Sequence, residues 1–312
     1  AESDEVMTHI ARDLCFLVAI ALFAASELVG QPSGPRRIAG GTFEASGVIG
    51  VPGTNGALFV DDGETTRIFW MELAADGTQK GTAVEVPLPA IDIVDLEGIT
   101  TDGTHFYAVG SQSKKVGFDG DGLIRFTFDG ATRTIGRVES IRALKRFLSR
   151  NVAELEGVEQ RMGDKALNIE ALAWDPKQNR LLLGLRAPVA GADALIIPIT
   201  LRDPNGPFTS ENLVVDSKGA IKLPLGGAGL RSLEFDNVSG NFLLFAGAAL
   251  NEENAEFRLL EWDGGASSPA PREVSRYSRK LKPEGITRMR LDGKDAMLVV
   301  FDVGSYEVIR PR

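Results

Sequence analysis

Asp95-Leu-Glu-Gly-Ile-Thr100, followed by His105-Phe-Tyr-Ala-Val-Gly-Ser-Gln-Ser113, sets the pattern of this chain. A short turn feeds a strand of small residues carrying an acid. About ten residues later comes an apolar strand with a polar or glycine-containing tip. The pattern recurs at Glu44-Ala-Ser-Gly-Val48 with Gly56-Ala-Leu-Phe-Val-Asp-Asp-Gly63, and at Asn168-Ile-Glu-Ala-Leu-Ala-Trp-Asp175 with Arg180-Leu-Leu-Leu-Gly-Leu-Arg-Ala-Pro188. It recurs again at Leu230-Arg-Ser-Leu-Glu-Phe-Asp236 with Asn241-Phe-Leu-Leu-Phe-Ala-Gly-Ala248, and at Lys282-Pro-Glu-Gly-Ile-Thr287 with Ala296-Met-Leu-Val-Val-Phe-Asp-Val-Gly304. A strand repeat of this period means a radial array of similar sheets. Glu44, Glu97, Glu170, Glu234 and Glu284 are then expected at equivalent places.

Each unit continues with two further strand-like runs, at 67–73 and 82–88, 122–128 and 132–138, 193–201 and within 212–225, and 257–262 and 272–277. Apolar–polar alternation between Asp-Gly pairs at 62–63, 76–77, 102–103, 129–130, 263–264 and 292–293 reads as antiparallel hairpins. The fifth unit supplies only three strands, and 36–43 is a spare strand ahead of the first. Pairing it into the last unit closes a ring and removes the open sheet edges. The fold expected is an all-β propeller of five four-stranded blades, with six as the alternative count. Residues 140–160 break the pattern with helical spacing (Ile141, Leu144, Phe147, Leu148, Val152, Leu155) and read as a helical insertion over one face.

The 312 residues carry a formal charge of −9 with 35 glycines. The acidic balance excludes nucleic acid as a partner, since phosphate binding needs clustered Lys and Arg. Residues 1–26 read as an N-terminal extension and signal peptide, 27–35 as a linker and 36–312 as one propeller domain. The apolar run from Leu14 to Ala25 is short for a membrane span, which needs roughly twenty residues. The expected location is periplasmic or secreted, with an uncleaved anchor as the alternative. The sole cysteine, Cys15, falls in the leader, so the mature chain has no disulfide and no thiolate metal site.

In a propeller the first strand of each blade lines a central channel. Five acids there need a cation, interleaved basic side chains or backbone donors to coexist. Calcium suits such an oxygen-rich set, with Glu97, Glu170 and Glu284 as its expected ligands. Arg186, Arg231, Lys114 and Lys282 are the candidate counter-charges. The second-strand tips bring Asp62, Ser111, Ser113, Arg186 and Asp302 to the same mouth. The alternatives for the glutamates are hydrogen bonding to the neighbouring blade, calcium binding, and direct acid/base or ligand work. His105 is the one histidine beyond the leader. No Gly-x-Ser-x-Gly elbow surrounds a serine, so a triad is not supported. Asp119-Gly-Asp-Gly122 reads as a turn, and Trp70, Trp174 and Trp262 as packing residues on strands.

The segments Asp95-Leu-Glu-Gly98, Asn168-Ile-Glu-Ala171, Leu185-Arg-Ala-Pro188 and Pro283-Glu-Gly-Ile286 resemble those of a bacterial secreted family known only as a domain of unknown function. They are also distantly similar to the esterase-like/phytase-like and SdiA-regulated propellers. The resemblance implies a propeller, export and calcium. The functional expectation is a secreted propeller that binds a small molecule or an extracellular polymer at an acidic channel. The alternative is a metal-dependent hydrolase of an ester or phosphoester, with Arg186 neutralising developing charge.

Overall fold

The structure is a computed structural model and describes residues 34–89, 91, 93–113, 120–162, 166–250, 256–265 and 270–310. The expected leader, most of the linker and Lys114 lie outside the described residues.

The chain forms five antiparallel sheets around a ring. A two-residue strand, Arg36–Arg37 (β1), comes first and belongs to the last sheet. Blade one is Ala45–Gly50 (β2), Gly56–Asp61 (β3), Arg67–Glu72 (β4) and Val84–Pro87 (β5). Blade two is Leu96–Thr101 (β6), Phe106–Gly110 (β7), Asp121–Asp129 (β8) and Thr134–Arg142 (β9). Helix Leu144–Asn151 (α1) and two single 3-10 turns follow, Ala153–Leu155 and Val158–Gln160. They occupy the stretch that the sequence marks as an insertion.

Blade three is Asn168–Asp175 (β10), Arg180–Ala187 (β11) and Asp193–Leu201 (β12), with Leu213–Val215 (β13) and Ile221–Pro224 (β14) end to end along β12. The single outer strand expected within 212–225 is thus two short ones. Blade four is Ala228–Asp236 (β15), Asn241–Ala248 (β16), Phe257–Trp262 (β17) and Arg272–Tyr277 (β18). Blade five is Pro283–Leu291 (β19), Lys294–Phe301 (β20) and Ser305–Ile309 (β21), completed by β1 with Arg36 opposite Tyr306.

The ring is held by five apolar seams, one between each pair of neighbouring blades. Inner strands are buried on both faces because each is covered by two neighbours, which is why they read as small and aliphatic rather than alternating. The seam between blades five and one contains Ile38 and Phe43 with Phe59, Leu298 and Tyr306. Gln79 of blade one clasps this junction: its amide bonds both ways to Ala39 (2.8 and 3.0 Å), and its N–H donates to the Tyr306 hydroxyl (2.7 Å). The expected strand over 36–43 is shortened to β1 because the chain turns at Ala39–Gly40 to pack Phe43 inward. α1 and the 3-10 turns bury Leu144, Leu148, Val152, Leu155 and Val158 against the seam of blades two and three.

Candidate functional site at the channel mouth

Every inner strand carries a bulge in its first half, and the bulges define which residues are equivalent. β6 pairs Leu96 with Gly110 and then Gly98 with Val109, leaving Glu97 extra. Likewise Glu170 is extra in β10, Arg231 in β15 and Glu284 in β19. In β2 the irregularity falls between Ala45 and Val48, on Ser46–Gly47. A bulge re-aims the unpaired residue and bends the strand, here at the mouth of the channel.

The residue after each bulge is small: Gly47, Gly98, Ala171, Ser232 and Gly285. Inner strands of adjacent blades nearly touch there. A Cβ on Gly98 would lie 2.8 Å from Leu172 Cβ, and one on Gly285 would lie 2.5 Å from the carbonyl oxygen of Ser46. Blade three tolerates Ala171 because the cross-strand partner there is Gly184, where the other blades have a larger side chain.

This register corrects two of the five expected equivalences. Arg231, not Glu234, holds the blade-four position. Glu234 lies three residues further in, level with Thr100 and Thr287. Glu44 precedes β2 and is exposed, its N–H donating to Asp61 Oδ2 at 2.9 Å.

Glu170 sits at the centre of a charged cluster. Its Oε1 accepts from Arg186 Nη1 (2.9 Å) and Asn168 Nδ2 (3.0 Å), and its Oε2 accepts from Arg231 Nη1 (2.8 Å). The same Arg231 nitrogen lies 3.2 Å from Glu284 Oε1. Arg231 is also stacked over the Phe257 ring, 5.5 Å from its centroid. At the rim Lys282 pairs with Asp302. Burial, with the charge of Glu170 beside it, pushes the Glu284 carboxyl up to about 8 against the pull of Arg231.

A second group adjoins it, close enough for Glu170 and Glu284 to repel Glu97. Asp62, Asp95 and Glu97 each place a carboxylate oxygen within 4.8 Å of the others. Asp95 is fixed from behind. The Ser111 hydroxyl donates to its Oδ2, Ser113 Oγ lies 3.2 Å from the same oxygen, and the Ser111 N–H donates to its carbonyl at 2.8 Å. Asp95 takes a left-handed backbone (φ 63°) to present its carboxylate there. Burial raises the Glu97 carboxyl well above its ordinary range, and Glu170, Glu284, Asp95 and Asp62 raise it further. The two groups share a cavity of about 620 Å³ lined by Glu44, Asp62, Glu97, Arg186, Glu284 and Asp302 among others.

The expected calcium set therefore divides. Glu97 belongs with Asp62 and Asp95, whereas Glu170 and Glu284 are engaged by arginines. Ser111 is fully buried behind Asp95, and His105 lies outside this cavity, half-exposed in the Asp102–His105 turn and 3.5 Å from the Asp102 carboxylate. Asp95 was visible in the sequence as part of the Asp95-Leu-Glu-Gly98 segment, without a sign that it would join Glu97.

The fold and mouth define a five-bladed β-propeller with a charged central channel. Its residues 161–308 match the family described as "Protein of unknown function (DUF3616)". No curated protein matches the chain. Among solved structures it is similar to the glutaminyl cyclase of Myxococcus xanthus, with 12% identity, a TM-score of 0.47 and coverage of 90% of this chain and 96% of that one. It is also similar to the PQQ domain of pyranose dehydrogenase from Coprinopsis cinerea, with 11% identity, a TM-score of 0.49 and coverage of 90% and 97%. A chain of a nidogen/laminin complex gives 11%, 0.43, 86% and 81%. At such identities none of these functions transfers. Among the described residues no helix is long and apolar enough to cross a membrane.

Proposed function

We propose that the protein is an exported binding propeller whose channel mouth holds a calcium ion on Asp62, Asp95 and Glu97. The observation that carries this reading is the approach of three carboxylate oxygens to within 4.8 Å of one another. Hard oxygen donors at that spacing suit calcium, whose ligands lie at about 2.3–2.6 Å from the ion. A cation also offsets the mutual repulsion that raises Glu97. When bound, the ion supplies a fixed positive charge to which an anionic or hydroxyl oxygen of a small molecule or extracellular polymer attaches. Arg186, at the same mouth, orients that group. Export rests on the leader-like reading of residues 1–26.

The test is calorimetric titration of chelator-treated protein with calcium chloride. Saturable binding is expected, together with a rise in Tm that follows the free-ion concentration. Both are expected to vanish in Glu97→Gln and Asp95→Asn. No heat and no Tm shift in the unaltered protein would sink the reading. What supports binding over hydrolysis is the engagement of both Ser111 and Ser113 with Asp95 and the placing of His105 elsewhere. Turnover of p-nitrophenyl acetate or p-nitrophenyl phosphate by the calcium-loaded protein, lost in Glu97→Gln, would replace it with the hydrolase.

A further inference from the structure

The opposite end of the channel opens into a larger cavity, about 1010 Å³, formed where the inner strands leave the hub. Glu234 forms its floor. The hydroxyl of Thr100, in blade two, faces the carboxyl of Glu234, in blade four. Those blades are not neighbours, so the two residues meet across the axis, and the cavity they line shares no residue with the acidic mouth.

The charges around the cavity are already matched. Glu72 meets Arg133 at 2.8 Å and Lys80 at 3.4 Å. Asp102 accepts from the Tyr107 hydroxyl and from the N–H groups of Thr104 and His105, all at 2.7 Å. Arg288 grips the buried Asp236 with two bonds, at 2.8 and 2.6 Å. Arg290 faces Asp295 at 3.7 Å. A charged ligand would compete with these pairs, whereas a neutral one would not. Glu234 itself is 8% exposed, and burial together with the nearby Asp236 raises its carboxyl well above the ordinary range. Burial thus favours the protonated form of a group that can then both donate and accept.

Two half-buried rings flank that acid. Trp174 is held parallel to Tyr107, with centroids 6.2 Å apart and planes 1° apart, and its backbone N–H donates to Thr100 Oγ1 at 3.1 Å. Phe235 adjoins Glu234 and is braced edge-on by Phe242, with centroids 5.3 Å apart, while the Lys177 ammonium, donating to the Asp263 carbonyl at 3.1 Å, lies 5.7 Å from its ring centroid and leaves it an edge rather than an open face. Rigid ring surfaces beside neutral hydrogen-bonding groups match a ligand with an apolar C–H face and a rim of hydroxyls. We propose that this cavity is a second binding site, for a neutral oligosaccharide, with Trp174 as its stacking surface, Phe235 as an apolar edge and Glu234 as the hydroxyl partner at its floor.

The experiment follows tryptophan fluorescence of the full chain during titration with cellohexaose, xylohexaose, maltohexaose and mannohexaose. Polygalacturonate and chitosan oligomers serve as charged counterparts, and EGTA is present throughout so that the acidic mouth stays metal-free. At least one neutral sugar is expected to give a saturable change, with the charged oligomers binding more weakly. Trp174→Ala is expected to weaken binding about tenfold or more. Glu234→Gln, whose amide still donates, should stay within about threefold, while Glu234→Leu should lose about tenfold. If Glu234→Leu does not fold, Asn237→Ala, at the exposed rim of the cavity, replaces it with the same expectation. No saturable response to any neutral sugar would overturn the proposal. So would tighter binding of a charged oligomer, or sugar binding unchanged in a folded Trp174→Ala protein followed by calorimetry.

Discussion

Arg231 Nη1 lies 2.8 Å from Glu170 Oε2, and the two occupy the same bulge position in adjacent blades. One blade has exchanged the acid of the repeat for a base, and this exchange lets the acidic hub fold. Without it, Glu170 and Glu284 would face each other across a buried space with only Arg186 between them and the rest of the mouth.

Removing that base is therefore costly. Arg231→Met is expected to destabilise the protein by about 3–5 kcal/mol, because two buried carboxylates lose a shared partner. Urea unfolding at neutral pH measures it. Adding Glu284→Gln to the same chain should recover part of the loss, a coupling that a double-mutant cycle reads directly. A cost of a few tenths would show that the cluster is solvated and energetically idle.

The pH dependence of stability has a definite sign. Glu284 ionises near 4.5 when unfolded and at about 8 when folded, so the folded chain holds the extra proton between those values. Its contribution is complete below about 4.5 and is lost as the pH rises through about 8. Glu97 and Glu234 are shifted the same way. In chelator, stability is expected to fall as the pH rises from about 4.5 to about 8, by a few kcal/mol, with Glu284→Gln flattening the slope. Stability that rose across that window would contradict the buried-acid description.

The close approach of the inner strands predicts an asymmetry between blades. Gly285→Ala puts a Cβ 2.5 Å from the Ser46 carbonyl and 2.6 Å from Val300 Cγ2. It should destabilise by about 1–3 kcal/mol through overpacking. Ala171→Gly, in the blade already adapted to a methyl, should cost less than about 1.5 kcal/mol. Equal and small effects at both places would mean that the blades part freely.

Ring closure is testable at Ile38, which is 1% exposed in the seam of blades five and one. Ile38→Ala is expected to cost about 2–5 kcal/mol. The first amides to gain exchange protection loss should be those of β21, next to β1. Loss spread evenly over all five blades would argue against a local latch.

Much of this architecture was legible because its signals are local. Glycine at φ 91° (Gly103) and φ 76° (Gly293) marks tight hairpins written as Asp-Gly in the sequence, and apolar runs between them mark strands. The missing fourth strand of blade five and the spare residues from Arg36 onward implied closure by simple counting. The charged hub was only partly legible. Glu97, Glu170 and Glu284 precede a small residue and an aliphatic one, and so does Arg231 before Ser232 and Leu233. Following the small–aliphatic pair would have found Arg231, whereas following the acid led to Glu234. A bulge exists only in the pairing of two strands, so one strand marks it only indirectly, by the small residue that follows. The grouping of Asp62 and Asp95 with Glu97 joins two blades and was beyond any single segment.

The pairing of Arg36 with Tyr306 constrains the order in which this protein folds. Until the last hairpin is in place, the first four blades can stack only into an open arc. Its two flanks, the outer faces of blades one and four, stay greasy until the final hairpin docks. Contacts between such distant residues form slowly. The open arc is thus the stage at which chaperones, or a second arc meeting the first flank to flank, compete with the native partner.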